Sequence, residues 1–418
     1  MTASDGSKKR YYVEPVALIF NEDNYYLMAY SSKHPDSTAN YRIDRIDHLN
    51  DRLFSEATAV LESIAGKRNS FESALSSVDS YITDELGLDI ADKKGWGDEA
   101  PKYLANFCKS RNLEITVPSF KNIGYWFRPR VILELAIIKA EIEKITDKDI
   151  RDFIFIAMSE AIRFVSNRRN GEFKMFRMPV AKVQKFRPDV YEEFKKTLLR
   201  NIDKMRNFND ALKSTNTDTK VSIFQNDACT LNDAPDNTYD LIVTSPPYGD
   251  SRTTVAYGEY SRLSLQWINL FDLTEKEIMG VDRSLMGGKK YRNGFEFTLN
   301  SPTLRASLDR IKDADVERAG DVYSFYSDLD ASISSVAQKT RSGGYQFWVV
   351  GNRTVKNELL QTDVIITELA PQYDLTPVYT IDRNIPNKVM PAQNSPTNIS
   401  GAKGSTMTME HIIVLRKN

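Results

Sequence analysis

The stretch DLIVTSPPYGD, residues 240–250, constrains this chain more than any other. Leu241, Ile242, Val243 and Thr244 form an apolar and β-branched run without polar alternation, the pattern of a strand buried on both faces of a parallel sheet. The run passes directly into Ser245-Pro246-Pro247-Tyr248. Each proline fixes φ and lacks an N–H, so two in sequence make a stiff exit whose carbonyls are free to face a ligand. In an open parallel sheet, ligands bind at the carboxyl ends of the strands. A serine hydroxyl beside such carbonyls suits an exocyclic amino group, which presents two N–H donors. A tyrosine directly after can stack on a planar ring, as enzymes that extrude a base require. Taken alone, the tetrad also fits a strand closed by a tight Pro-Pro turn with a surface tyrosine.

The surrounding pattern divides the chain into three parts. Residues 1–51 read as a small β segment: VEPVALIF, YYLMAY and YRIDRI are short strands separated by the NEDN turn and the polar loop SSKHPDST. Residues 52–215 read as helical. RPRVILELAIIKAEIEKI (128–145) and RDFIFIAMSEAIRFV (151–165) repeat apolar residues at three- and four-residue intervals, and a longer charged helix follows over 190–212. Residues 216–418 alternate. VSIFQ, DLIVT and YQFWVVG are strands, a helix over 318–339 precedes the last of them, and TPVYTIDR and MEHIIVLRK close the chain as two strands around a long polar loop. The expected fold class is α/β, a Rossmann-like sheet preceded by a helical region and a small β head.

Composition narrows the function classes. Lys+Arg at 56 against Asp+Glu at 57 leaves a net charge of -1, so a nucleic-acid surface would have to be local. Such a patch is readable at Arg163, Arg168 and Arg169, with Lys174 and Arg177 after them and Phe164, Phe173 and Phe176 interleaved; a solvated helix end fits the same residues. Arg383, Lys388 and Lys403 in the late loop could follow a DNA backbone in the same way. Tyr125-Trp126-Phe127 reads as a hydrophobic anchor for the helix after it. Two cysteines exclude a disulfide framework and suit a reducing cytoplasm, and three scattered histidines argue against a metal site. No apolar run reaches membrane-spanning length, and the start has no signal-peptide core, so a cytoplasmic location is expected.

YDLIVTSPPY resembles motif IV of the amino-group DNA methyltransferases, in the TSPPY form associated chiefly with modification of cytosine N4; adenine-N6 members usually carry an aspartate at the position of Ser245. QNDA resembles the acidic motif III of that family. GDSRTTVAYGEYSRLSLQW, GGYQFWVVGNRT and IPNKVMPAQNSPTNISGAKGSTMTMEHIIVLRK resemble later segments of a TSPPY subgroup, and the likeness runs over roughly residues 110–418. It implies double-stranded DNA as substrate, S-adenosylmethionine as cofactor, and a setting in restriction-modification. Ser245 and the Pro246 carbonyl would hold the target amine, Pro247 would stiffen the exit, and Tyr248 would stack the flipped base. Asp227, with Ala228 and Thr244, would lie on the adenosine side of the cofactor. No cysteine nucleophile is needed. The family's glycine-rich turn, resembling DPF-x-G-x-G, has no counterpart here: KKGWGDEA follows no β-rich strand, and VVGNRT belongs to a strand already assigned. The expectation is therefore a second polypeptide carrying that turn, with a non-catalytic DNA-binding protein and adenine-N6 specificity as the alternatives. Finally, residues 11–49 resemble part of a WYL domain, with Tyr25-Tyr26-Leu27 at the name-giving tripeptide and Arg42 and Arg45 at its RxDR-like end. That likeness implies a ligand, with nucleic acid among the candidates; tyrosines packing a sheet would give the same pattern.

Overall fold

The computed structural model describes residues 13–21, 24–31, 34–42, 49–92, 96–97, 99–171, 174–213, 222–224, 226–250, 257–291, 294–384, 393–394, 404–405 and 409–418. They divide into two compact units: residues 1–223 with 261–278, and residues 224–260 with 279–418.

The first unit opens with three antiparallel strands in the order β1-β2-β3: β1 (Val13–Asn21), β2 (Asn24–Ser31) and β3 (His34–Arg42). β3 begins inside the stretch read from the sequence as a polar loop. Of that stretch only His34 has a register partner on β2, Ser31; regular pairing resumes with Ala39 opposite Ala29, across an irregularity in β2. The register sets Tyr26 opposite Arg42 and Leu27 opposite Tyr41, while Arg45 lies outside the described residues.

Helices follow: α1 (Leu49–Ser80) running into a π-helical turn Tyr81–Glu85, α2 (Ala100–Ser110), α3 (Ile123–Trp126), α4 (Pro129–Glu143), α5 (Lys148–Val165), α6 (Val180–Lys185) and α7 (Val190–Lys213). Their ends obey local rules. Pro129 stands in the first turn of α4, where its missing N–H has no helical partner to lose. Asp147 caps α5 by accepting from the N–H groups of Asp149 and Ile150 at 3.1 and 3.2 Å. α4 is apolar almost all round and correspondingly central: Val131, Ile132, Leu133, Leu135, Ile137, Ile138 and Ile142 are all buried. Its two buried acids are paired, Glu134 with Arg68 and Arg130, and Glu141 with Lys67 and Lys144. Phe127 belongs to this core. Its ring meets those of Phe120 and Trp267 edge-on, so Tyr125-Trp126-Phe127 does anchor α4. Trp267 comes from α8 (Tyr257–Ile268); α8 and α9 (Glu275–Ser284) each begin in one unit and end in the other.

The second unit is built on a four-stranded sheet in the order β4-β5-β11-β8: β4 (Tyr239–Thr244), β5 (Thr340–Val350), β11 (Met409–Lys417) and β8 (Leu375–Asn384). β4 and β5 are parallel, with Leu241 opposite Tyr345 and Thr244 opposite Trp348; β11 runs antiparallel to both of its neighbours. Two short pairs, β6 (Arg353–Val355) with β7 (Glu358–Leu360) and β9 (Gln393–Asn394) with β10 (Gly404–Ser405), lie outside this sheet. The helices α10 (Pro302–Ala314), α11 (Val316–Lys339) and α12 (Thr362–Leu369) bury one face of the sheet. Trp348, Val350, Ile413 and Leu415 point into that core with Leu304, Tyr326, Leu329, Ile333 and Ile365.

Two expectations are corrected here. The DLIVT strand is not covered on both faces, since Leu241 is 56% exposed and Val243 67%. Tyr345, Tyr379 and Ile381 are exposed on other strands of the same sheet. The VSIFQ strand is also missing: residues 222–224 belong to no strand, and Ile223 and Phe224 are exposed. Among the described residues β4 pairs with β5 alone, so its other edge presents unpaired ladder groups that residues 222–224 do not fill.

Candidate active site

The tetrad stands where the sequence places it, at the carboxyl end of β4. Ser245 is exposed, Pro246 buried, and Pro247 and Tyr248 half-buried. Thr244 ends the strand itself. The proline pair brings the chain out of the sheet without demanding ladder partners. Tyr248 does not project freely from that exit: its hydroxyl donates to Glu410 Oε1 at 2.7 Å. Glu410, near the start of β11, is bonded in turn by Arg383 of β8, whose Nε lies 3.2 Å from Oε2. Burial pushes the Tyr248 phenol above its ordinary value, and the bond to Glu410 adds to the rise, while the Ser245 hydroxyl works the other way. The bonds from Arg383 and Tyr248 hold the Glu410 carboxyl below its ordinary value. Tyr248, Glu410 and Arg383 thus form one continuous polar chain at the end of the sheet.

The far side of the tetrad is fixed by a buried charge. Asp250 is 1% exposed and lies 3.2 Å from Arg318 of α11 and 3.3 Å from Arg353 of β6. Gly287 closes over it with φ at +73°; a Cβ there would stand 2.7 Å from the Asp250 Cβ, so only glycine fits. The Gly287 N–H donates to Asp328 Oδ2 at 2.8 Å. Burial raises the Asp328 carboxyl above its ordinary value, and the charge of Asp227 adds to the rise. Asp227 itself is exposed in a turn, where Oδ1 accepts from the Cys229 N–H at 2.9 Å and the Ala228 carbonyl accepts from Ser335 at 2.5 Å. The loop around Gly287 therefore lies against Asp250 and is bonded to Asp328. Glu410, Asp250, Arg318 and Arg353 escaped sequence reasoning. Asp250 carried a weak signal through its place two residues beyond Tyr248; Glu410, 162 residues away from Tyr248, carried none.

The basic residues fare unevenly. Arg168 is 1% exposed, and its backbone bridges Arg177, so burial removes this guanidinium from the surface on which a phosphate contact was expected. Arg163 is half-buried; burial, with Arg168 nearby, lowers its guanidinium to about 10. Arg169 is exposed. Arg177 lies over the Tyr125 ring and donates to the carbonyls of Tyr125, Ala91 and Asp92. Arg383 is exposed but pairs with Glu410. Lys388 and Lys403 lie outside the described residues. No group of acids, cysteines and histidines among the described residues could hold a metal ion, and no described helix is long and apolar enough to cross a membrane.

The residues present fit S-adenosylmethionine only in part. Asp227 is available to an adenosine, yet among the described residues no glycine-rich turn follows a strand of the sheet, and β4 is its bare parallel edge.

Ser-Pro-Pro-Tyr thus stands at the carboxyl end of a parallel strand, and comparison with known proteins gives the class of the chain as a whole. The Type II methyltransferase M.MvaI of Kocuria varians is 41% identical over 307 residues, which cover 72% of this chain and 67% of that protein. The chain belongs to that type II methyltransferase family. Residues 2–50 match the WYL domain model. A DNA modification methylase from Thermus thermophilus aligns over 44% of this chain and 46% of its own at 16% identity, with a TM-score of 0.20, too low to argue a common fold.

Proposed function

We propose that this chain carries the target-amine half of a DNA methyltransferase that modifies the exocyclic N4 of cytosine in a base flipped from double-stranded DNA, within a cytoplasmic restriction-modification system. One observation carries the reading: Ser245, Pro246 and Tyr248 stand together at the carboxyl end of a parallel strand, with the tyrosine ring tethered. Ser245 and the Pro246 carbonyl accept the two amine N–H groups, which aims the nitrogen lone pair away from them. Tyr248 stacks the extruded base. The proline exit excludes water from one side of the amine, and no covalent bond to the enzyme is needed. S-adenosylmethionine supplies the methyl group. Positioning accounts for most of the rate, since one orienting group is worth on the order of 10²-fold. Serine rather than aspartate at 245 favours cytosine over adenine.

The Rossmann-like sheet of such an enzyme is completed here by a second polypeptide that bears the glycine turn. The bare parallel edge of β4, with Leu241 and Val243 exposed beside it, supports this reading. Asp227 then contacts the adenosine, with Ala228 and Thr244 beside it. Losing the contacts of the turn, at about 1.4 kcal/mol per tenfold, moves a micromolar cofactor site toward millimolar. Calorimetric titration of the isolated chain with S-adenosylmethionine should show weak binding or none. A one-to-one micromolar site would overturn the need for a partner. Mass spectrometry of DNA treated with the completed enzyme should show N4-methylcytosine; N6-methyladenine would overturn the choice of base.

A further inference from the structure

We propose that Glu410 is the positioning residue of the target-base site: it accepts the Tyr248 hydroxyl and so fixes the plane of the ring on which the base stacks. The inference rests on the target-base reading of Tyr248 given above. A tyrosine at a loop exit turns about two side-chain bonds, and a platform that turns does not hold a base at the angle methyl transfer needs. The phenol O–H lies in the plane of its ring, so the direction of its acceptor selects that plane.

Glu410 meets the requirements for such an acceptor. It lies 2.7 Å from the hydroxyl. It sits near the start of β11, a strand hydrogen-bonded on both sides, by β5 and by β8. Its other oxygen, Oε2, takes both Nε and Nη2 of Arg383, so the two carboxylate oxygens are held by different partners and rotation of the group would break one set of bonds. Glu410 is 13% exposed and Arg383 56%, so the acceptor is sheltered while its brace stands outside. Arg383 thereby acquires a role other than backbone contact: it braces the acceptor.

The test uses the full chain and two readouts. In the first, 3-fluorotyrosine is placed at position 248 and its titration followed by fluorine NMR. Glu410→Leu should lower the midpoint, because the accepting carboxylate is gone; an unchanged midpoint would overturn the contact. In the second, transfer of labelled methyl groups to unmethylated plasmid DNA is measured in the completed enzyme. Tyr248→Phe and Glu410→Leu should each lower kcat by roughly 10- to 100-fold with little change in KM for DNA, since a misplaced base costs rate and not encounter. The double variant should be no worse than either single one, and Glu410→Gln, which keeps an acceptor oxygen, should regain most of the loss. Losses that multiply in the double variant, or a Gln variant as poor as Leu, would overturn the positioning role. Failure of methyl transfer in every preparation would count instead against the function proposed above, while the fluorine readout would still decide whether Glu410 holds the ring.

Discussion

The two units hide their apolar surface to different degrees. In the helical unit α4 is apolar and covered over most of its surface, and its two buried acids, Glu134 and Glu141, are matched by arginines and lysines. In the sheet unit one face is sealed by α10, α11 and α12, while the other shows Leu241, Val243, Tyr345, Tyr379 and Ile381 to solvent. Parallel strands are rarely left this way, because crossover connections normally bring helices to both faces. The contrast teaches that the helical unit is a finished core, whereas the sheet unit offers a surface and a strand edge that fit another polypeptide. The tetrad at 245–248 stands on the unit with the open face.

The contrast breaks most readily in stability measurements. Phe127→Ala removes a fully buried ring from contact with Phe120 and Trp267, and should cost about 3–5 kcal/mol in denaturant unfolding. Val243→Lys, at an equally apolar position in the sequence, should change stability by no more than about 0.5 kcal/mol, because the side chain is already in water. A large loss from Val243→Lys would mean that the face is covered in solution. Ser245→Ala sharpens the same division from the side of activity. It should lower methyl transfer by on the order of 10²-fold while leaving the unfolding midpoint in place, since Ser245 is exposed beyond the end of its strand.

Acid should act on the helical unit through Glu141. Burial alone would raise this carboxyl, but hydrogen bonds from Lys144, Lys67 and Ser63 outweigh it and lower the value to about 2, against 4.5 for the free group. A depressed value means stability that is fully present above 4.5 and lost as pH falls through about 2. Between pH 5 and pH 3 the unfolding free energy should therefore drop by about 2 kcal/mol on this account. Glu141→Gln should lack that component, and an identical acid profile in the variant would refute the assignment. The smallest effect is expected at Arg169. Changing it to alanine should reduce the slope of log affinity for DNA against log salt by about one unit, whereas Arg168→Ala should act through stability because that side chain is buried. An unchanged slope for Arg169→Ala would leave it a solvated loop residue.

Sequence alone determined the elements whose partners are close by or whose pattern is strong. The 3.6-residue periodicity of 128–145 and 151–165 specifies α4 and α5, and the apolar run into Ser245-Pro246-Pro247-Tyr248 specifies both β4 and its abrupt exit, because proline acts on its own backbone and needs no neighbour. Tertiary structure decided everything that depends on a distant strand or charge. A strand exists only where another strand accepts its hydrogen bonds, which is why residues 39–42 pair with β2 while residues 222–224, with Ile223 and Phe224 among them, stay outside any strand. Arg168 reads as a surface cation until packing buries it. Glu410 reads as an ordinary acid at the start of a late strand until β11 brings it, across 162 residues, to the hydroxyl of Tyr248. Local pattern encodes what a residue does to its own backbone; which side chain it will face is fixed only when the sheet closes up between β5 and β8.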